Sequence, residues 1–401
     1  MFKKLKQSSL MKHLMDNIRD NIYFMDRKGK IILINKEGAK WLGFDSPDEA
    51  VGKTDLDIFT NEHGRAAYDD EQQIMETGIP ILGKEEKETW ADGHETWVST
   101  SKMPLRDDEG GIVGSFGISR DITDHKRAEI RADKLAEENR AFREEMEAEL
   151  LMAQELQKTF FPSSYPVFPG HTAADESVVE FSHQHYAGGM VGGDFCSVRK
   201  LSDTEVGILL CDVMGHGVRA ALGTAVVRGV VEDISNQKKD PGRFLSHLNR
   251  VLMPILRPGD LFLYATACYM VLDVSTGVLR YANAGHPSPI KLGRDGAEWL
   301  MDASAVVGPG LAIGDDSEYE TAERVVLPGD LVFMFTDGIY EVENAEQDEF
   351  GEERLLAAAG QHTALSLPAL FPALLNDARQ FSRSGEFGDD VCLVGFRLLD
   401  R

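Results

Sequence analysis

Between His125 and Phe161 the chain contains neither glycine nor proline and is rich in Ala, Glu, Arg and Leu, so residues 125–161 read as one long helix. Phe161-Pro162, with Pro166 and Pro169 behind it, stops that helix. At 401 residues the chain is too long for one ordinary core. The helix therefore divides it into a modest N-terminal domain and a larger C-terminal one. A heptad seam runs along the helix. Ala132, Asn139, Met146, Ala153 and Phe160 occupy one position, and Leu135, Phe142, Glu149 and Leu156 its partner, with Glu149 as a fault that Leu150 and Leu151 absorb. Asn139 on the seam specifies a paired register, so the expected partner is a second copy in a parallel homodimer. The bland alternative is an amphipathic helix packed on its own C-terminal domain.

Composition narrows the function. The apolar fraction of 42% and charged fraction of 27% are those of folded globular protein. A formal charge of -25 excludes nucleic acid as the expected partner, because duplex binding draws on clustered Lys and Arg. Cys196, Cys211, Cys268 and Cys392 lack CxxC spacing, which signals neither a zinc site nor a disulfide framework. Residues 1–15 are basic, with no unbroken apolar run behind them, so no signal peptide or membrane insertion is expected and the chain should be cytoplasmic.

Residues 16–124 carry the punctuation of short strands and turns. NIYFMD and IILIN flank a loop from Asp26 to Lys30, a β-hairpin. Asp92-Gly93 and Glu109-Gly110-Gly111 are the turns of a three-stranded meander, and helical stretches fill the middle. Hairpin, short helices and meander, ending in Arg120-Asp121-Ile122-Thr123-Asp124, resemble a PAS domain. Its ligand is unknown from sequence. The segment has no cysteine for flavin photochemistry of the reactive-thiol kind, and His63 and His94 read as surface or hydrogen-bonded residues rather than haem ligands. Trp41, Trp90 and Trp97 read as core.

In residues 162–401 aspartates stand at the ends of apolar strands: Asp194 after GMVGG, Asp212 in ILLCDVMGHG, Asp337 in LVFMFTDG, and Asp389-Asp390 before VCLVGF. A carboxylate there is costly unless hydrogen-bonded or bound to a cation, and four such positions point to a shared cation site. GGDF taken alone has a likeness to the GGDEF signature of diguanylate cyclases, but Cys196 follows Phe195 and no cyclase context appears. The order QELQKTFFP, YAGGMVGGDF, DVMGHG, YANAGHPSP, LPGDLVFMFTDGIYE, EFGEERL and DDVCLV resembles the SpoIIE-like branch of the PPM metal-dependent phosphatases.

That resemblance implies an α+β fold class overall: an N-terminal PAS domain, a helical coiled-coil linker and a C-terminal PPM-type β-sandwich flanked by helices. It implies two Mn²⁺ or Mg²⁺ ions. Asp212 would bridge them, Asp337 and Asp389 would complete one, and Asp194 with the Val213 carbonyl would serve the other. Asp212 and Asp194 would carry catalysis. Asp390 is expected beside the ligands rather than among them. Met214 stands where the wider family has a general-acid histidine, so the proton is expected from water, with His216, two residues on, as the weaker candidate for the acid. The implied substrate is a phosphorylated STAS-domain protein, an anti-sigma-factor antagonist. The alternative is a PAS-controlled scaffold whose PPM module is inactive, which would need a missing metal carboxylate, and none is missing.

Overall fold

The computed structural model describes residues 7–90, 92–234, 239–257, 262–301 and 306–400. It divides into two compact units, Met1–Arg143 and Glu144–Arg401. Of the basic N-terminal extension, residues 1–6 lie outside the described part, and the remainder enters helix α1 (Gln7–Asn17).

In the first unit β1 (Asn21–Asp26) and β2 (Ile31–Ile34) form the expected hairpin. Asp26 builds its turn, accepting from the backbone N–H of Lys28 and Lys30 at 2.8 and 3.0 Å, while Gly29 takes the left-handed conformation at φ 72°. Helices α2 (Lys36–Trp41), α3 (Pro47–Ala50), α4 (Asp55–Ile58) and α5 (Asn61–Thr77) follow. Then β3 (Ile81–Thr89), β4 (Glu95–Arg106) and β5 (Ile112–Asp121) make the meander, and all five strands join one antiparallel sheet in the order β2-β1-β5-β4-β3. Tyr23, Met25, Ile31, Ile34, Ala39 and Ala50 are its buried core.

The long helix α6 runs from Thr123 to Lys158. It stops three residues before Phe161, earlier than the missing prolines suggest. Phe160 N–H turns back to the Gln157 carbonyl at 2.9 Å, and Phe161 is only 8% exposed because it plugs into the second unit's core. Burial of that ring and the restriction that Pro162 imposes on its predecessor outweigh local helix propensity.

The second unit stacks two antiparallel sheets between two helix layers. Its elements are β6 (Val179–Tyr186), β7 (Asp194–Lys200), β8 (Glu205–Val213), α7 (Val218–Asp233), α8 (Pro241–Leu256), β9 (Ala265–Asp273), β10 (Val278–Ala284), β11 (Ile290–Gly293), β12 (Gly296–Trp299), β13 (Ala322–Val325), β14 (Leu331–Phe335), α9 (Gly351–Gln361), α10 (Leu367–Phe381) and β15 (Val391–Leu398). The sheets are ordered β13-β10-β9-β8-β7 and β12-β11-β14-β15-β6. Strand alternation explains the layering. In β8, Val206, Ile208 and Leu210 face the other sheet, where they meet Val394 and Phe396 of β15, while Leu209, Cys211 and Val213 pack under α7 and α8. Phe333 and Phe335 of β14 meet α9 and α10 in the same way. All four cysteines are buried and unbridged. Among the described residues no helix is long and apolar enough to cross a membrane.

Candidate metal centre

The two sheets bring their acids to one end. Asp194 opens β7 and sits opposite Asp212, the penultimate residue of β8. Asp337 begins a short 3₁₀ turn just beyond β14, and Asp389-Asp390 immediately precede β15, whose Leu393 pairs with Phe335 at the end of β14. Antiparallel pairing makes the end of one strand the neighbour of the start of the next, so acids far apart in sequence meet.

Hydrogen bonds distinguish their duties. Buried Thr336 donates its hydroxyl to Asp194 Oδ2 at 2.8 Å and accepts the Cys392 N–H at 2.8 Å, tying β7, β14 and β15 together. Asp390 is 4% exposed and engaged with backbone, accepting from Gly188 N–H at 2.8 Å and from Gly193 N–H at 2.5 Å. It braces the glycine loop that delivers Asp194. The loop needs glycine for close approach: a Cβ on Gly192 would collide with the Asp390 carboxylate, and one on Gly193 with the Val213 carbonyl. The Gly193 carbonyl in turn accepts from Val213 N–H at 3.1 Å and from the Thr224 hydroxyl at 2.7 Å.

Electrostatics ties the cluster together. Burial first, then the neighbouring charges of Asp337 and Asp389, raises the Asp212 carboxyl above the ordinary carboxylate range. Asp194 is raised well above it by burial and by Asp212, and Asp337 by burial and by Asp389. Glu341, which sequence reasoning passed over, belongs here as well: burial and Asp337 raise it, and its charge reaches Asp212. Its signal was present as the last acid of TDGIYE. Among the described residues no three such side chains converge closely enough to cage an ion. Four crowded carboxylates repel one another, and Asp194 turns to the Thr336 hydroxyl. Hard oxygen donors that are both buried and crowded are suited to a divalent cation of the Mg²⁺ or Mn²⁺ type, which would relieve that repulsion.

A cleft of about 300 Å³ opens on Asp212 and Asp337, walled by Thr266, His286, Val307, Tyr340 and Glu352. Buried His286 places Nδ1 2.9 Å from the Thr266 hydroxyl, and burial pushes its imidazole down to about 3, so it is neutral. Asn283 fixes the same turn, donating to the His286 carbonyl and accepting its N–H, both at 2.8 Å. That is the structural content of the NAGH motif. His216 and Met214 are both exposed, and His216 lies close enough to Asp390 to influence it.

The first unit has its own polar cavity, lined by Asn21, Tyr23, Asp55, His63, Glu86, Glu88, Thr100 and Lys102. His63 faces this cavity and packs edge-on against Phe59, whereas His94 stacks on Trp90 at an exposed position. Behind the cavity wall, Glu71 is 1% exposed with Oε1 3.7 Å from Lys102 Nζ. The Trp41 ring N–H donates to Glu88 and that of Trp90 to Thr96.

Comparison with known proteins follows this division. Residues 202–399 match the family model described as Stage II sporulation protein E (SpoIIE), and residues 15–127 match the PAS fold. Protein IcfG of Synechocystis sp. is 22% identical across 88% of this chain and 58% of its own length. Phosphoserine phosphatase RsbP of Bacillus subtilis is 25% identical across 40% of each chain. Phosphoserine phosphatase RsbU of the same organism is 23% identical across 50% of this chain and 56% of its own. The chain thus spans between about two fifths and three fifths of the length of these relatives. The SiaA-PP2C domain of Pseudomonas aeruginosa shares the fold, with a TM-score of 0.54 and 22% identity over 64% of this chain and 98% of that one. The chain therefore joins a region that matches the PAS fold to one that matches the SpoIIE family and has a PPM-type fold.

Proposed function

We propose that the chain is a signal-regulated, metal-dependent protein phosphatase that removes phosphate from serine or threonine of a STAS-type anti-sigma-factor antagonist. The observation that carries this reading is the meeting of Asp194, Asp212, Asp337 and Asp389 at one end of both sheets, beside a cleft that opens on Asp212 and Asp337. Asp212 would bridge two Mn²⁺ or Mg²⁺ ions, Asp337 and Asp389 would complete one, and Asp194 with the Val213 carbonyl would hold the other. Bound there, the ions supply the positive charge that activates water and offsets the phosphoryl oxygens.

The chain's own residues do the rest. Thr336 aims Asp194, Asp390 holds the glycine loop, and neutral His286 with Thr266 shapes the cleft wall without adding charge. Met214 cannot donate a proton, so the leaving oxygen takes its proton from water. The substrate class is supported by the relatives named as phosphoserine phosphatases. A homodimer is supported by the exposure of the α6 seam, where Leu135, Phe142 and Leu156 are 59%, 62% and 66% exposed within one chain.

The test is release of phosphate from a phosphorylated STAS-domain protein in Mn²⁺. Asp212→Asn should lower turnover by on the order of a thousandfold or more while leaving the thermal unfolding temperature at or above wild type, because it removes the group both ions share and also relieves repulsion. Activity retained in Asp212→Asn would overturn the site. No release by wild type, with Mn²⁺ binding intact, would favour the scaffold reading.

A further inference from the structure

The glycine loop that delivers Asp194 has a second brace, and it comes from α6. Gln157, in the last turn of the helix, donates from Nε2 to the Gly192 carbonyl at 2.5 Å and accepts the Gly192 N–H on Oε1 at 3.0 Å. One side-chain amide thus takes both backbone groups of a single residue, as a neighbouring strand would. Gln157 is 5% exposed, and along α6 only it and Thr123 are buried. Its neighbour Leu156 is 66% exposed.

Anchoring of the helix end does not require this contact. Phe161 already plugs into the core, and Phe160 lies under the Arg228 guanidinium at 5.0 Å. What the amide adds is a directional grip on Gly192, two residues before Asp194. Gly193, between them, is bonded to Asp390, Val213 and Thr224, so Gln157 completes the frame of hydrogen bonds that sets the course of the loop into Asp194.

We propose that Gln157 is a positioning residue through which the rotational setting of α6 determines how Asp194 is presented to the second ion, and thereby the affinity of that ion. This rests on the metal-centre reading above. The scale is favourable. At a side-chain radius of about 5–6 Å, a rotation of roughly 20° moves the amide by about 2 Å. That displacement takes both contacts beyond hydrogen-bond range. Because the two bonds break together, the grip has an engaged and a released state rather than a graded one, which is the behaviour a switch needs. A released Gly192 would leave a buried N–H and carbonyl unpaired, so the engaged state is the stable one unless the helix is turned.

The experiment uses the full chain with Mn²⁺ as probe, and compares wild type, Gln157→Ala and Gln157→Met. Free Mn²⁺ is followed by electron paramagnetic resonance, and phosphate release from p-nitrophenyl phosphate is measured against Mn²⁺ concentration. Both variants should weaken one Mn²⁺ site about tenfold, the size expected for losing a buried pair of hydrogen bonds. The other site should be unaffected, and most of the turnover should return at saturating Mn²⁺. Gln157→Met keeps the side-chain volume and helix propensity, so it carries the test if Gln157→Ala fails to fold. Variants that bind Mn²⁺ as wild type does, or that lose turnover at saturating Mn²⁺ with affinity unchanged, overturn the proposal and leave the metal centre standing. Wild type that binds no Mn²⁺ overturns both.

Discussion

Single residues at the centre differ by what they touch, and neighbours in sequence can have opposite duties. Asp389 and Asp390 are adjacent acids, yet Asp390 is buried with both oxygens on backbone amides while Asp389 remains in electrostatic reach of Asp212 and Asp337. The first unit offers a residue-scale test of another kind. Burial pushes the carboxyl of Glu71 up from 4.5 to about 8, against the pull of Lys102, and that of Glu88 up to about 7, against its bonds to Thr96 and Trp41. Both acids hold protons more firmly folded than unfolded, so the folded state binds more protons between those limits. The associated stability is present in full below about pH 4.5 and is lost as pH rises toward 8. The first unit's melting temperature should therefore fall between pH 5 and pH 8, and Glu71→Gln should flatten that slope and raise the temperature at pH 8 by about 5 °C. Asp55, raised by burial in the same cavity, adds to the slope, whereas His63, lowered by burial, opposes it below its ordinary range. A scan of thermal unfolding against pH checks this, and a stability that rises with pH would contradict it.

At the scale of elements, α6 and the glycine loop are the parts with a mechanical relation. A helix turns about 100° per residue, so one residue inserted between 131 and 141 changes the phase of everything before it, whereas seven nearly restore it. If rotation is what α6 transmits, the variant with seven added residues should keep its response to the sensor unit. The variant with one should lose it, and four should fall between. Phosphate release at limiting and at saturating Mn²⁺ separates the cases, and identical behaviour of all three while still dimeric would make α6 a tether. The sandwich itself should be insensitive to such insertions. Its layers are held by alternating apolar residues of β8, β14 and β15, none of which belongs to α6.

For the whole molecule the property to test is the proposed pairing with a second copy through α6. The α6 seam is exposed in one chain at Leu135, Phe142 and Met146, an apolar stripe on an otherwise charged helix. Replacing Leu135 and Phe142 together by Asp should halve the mass in solution, since two charges on a paired seam cannot be desolvated. Light scattering reads the outcome. A mass unchanged by both substitutions would mean that the seam is not the interface.

The sequence by itself determined the local elements and the acids. Freedom from glycine and proline made α6, Asp26 and Gly29 made the first hairpin, and apolar runs ending in TDG or opening after GGD marked strands with carboxylates at their ends. These signals are legible because backbone propensity, turn chemistry and side-chain alternation act over a few residues. Partners were not legible. Thr336 grips Asp194 across 142 residues of chain, Asp390 grips Gly193 across 197, and Gln157 grips Gly192 across 35. Glu341 joined the acids only because a 3₁₀ turn swings it beside Asp337. Which polar groups satisfy one another once water is excluded depends on how two sheets and a helix end are packed, and that only the tertiary structure decided.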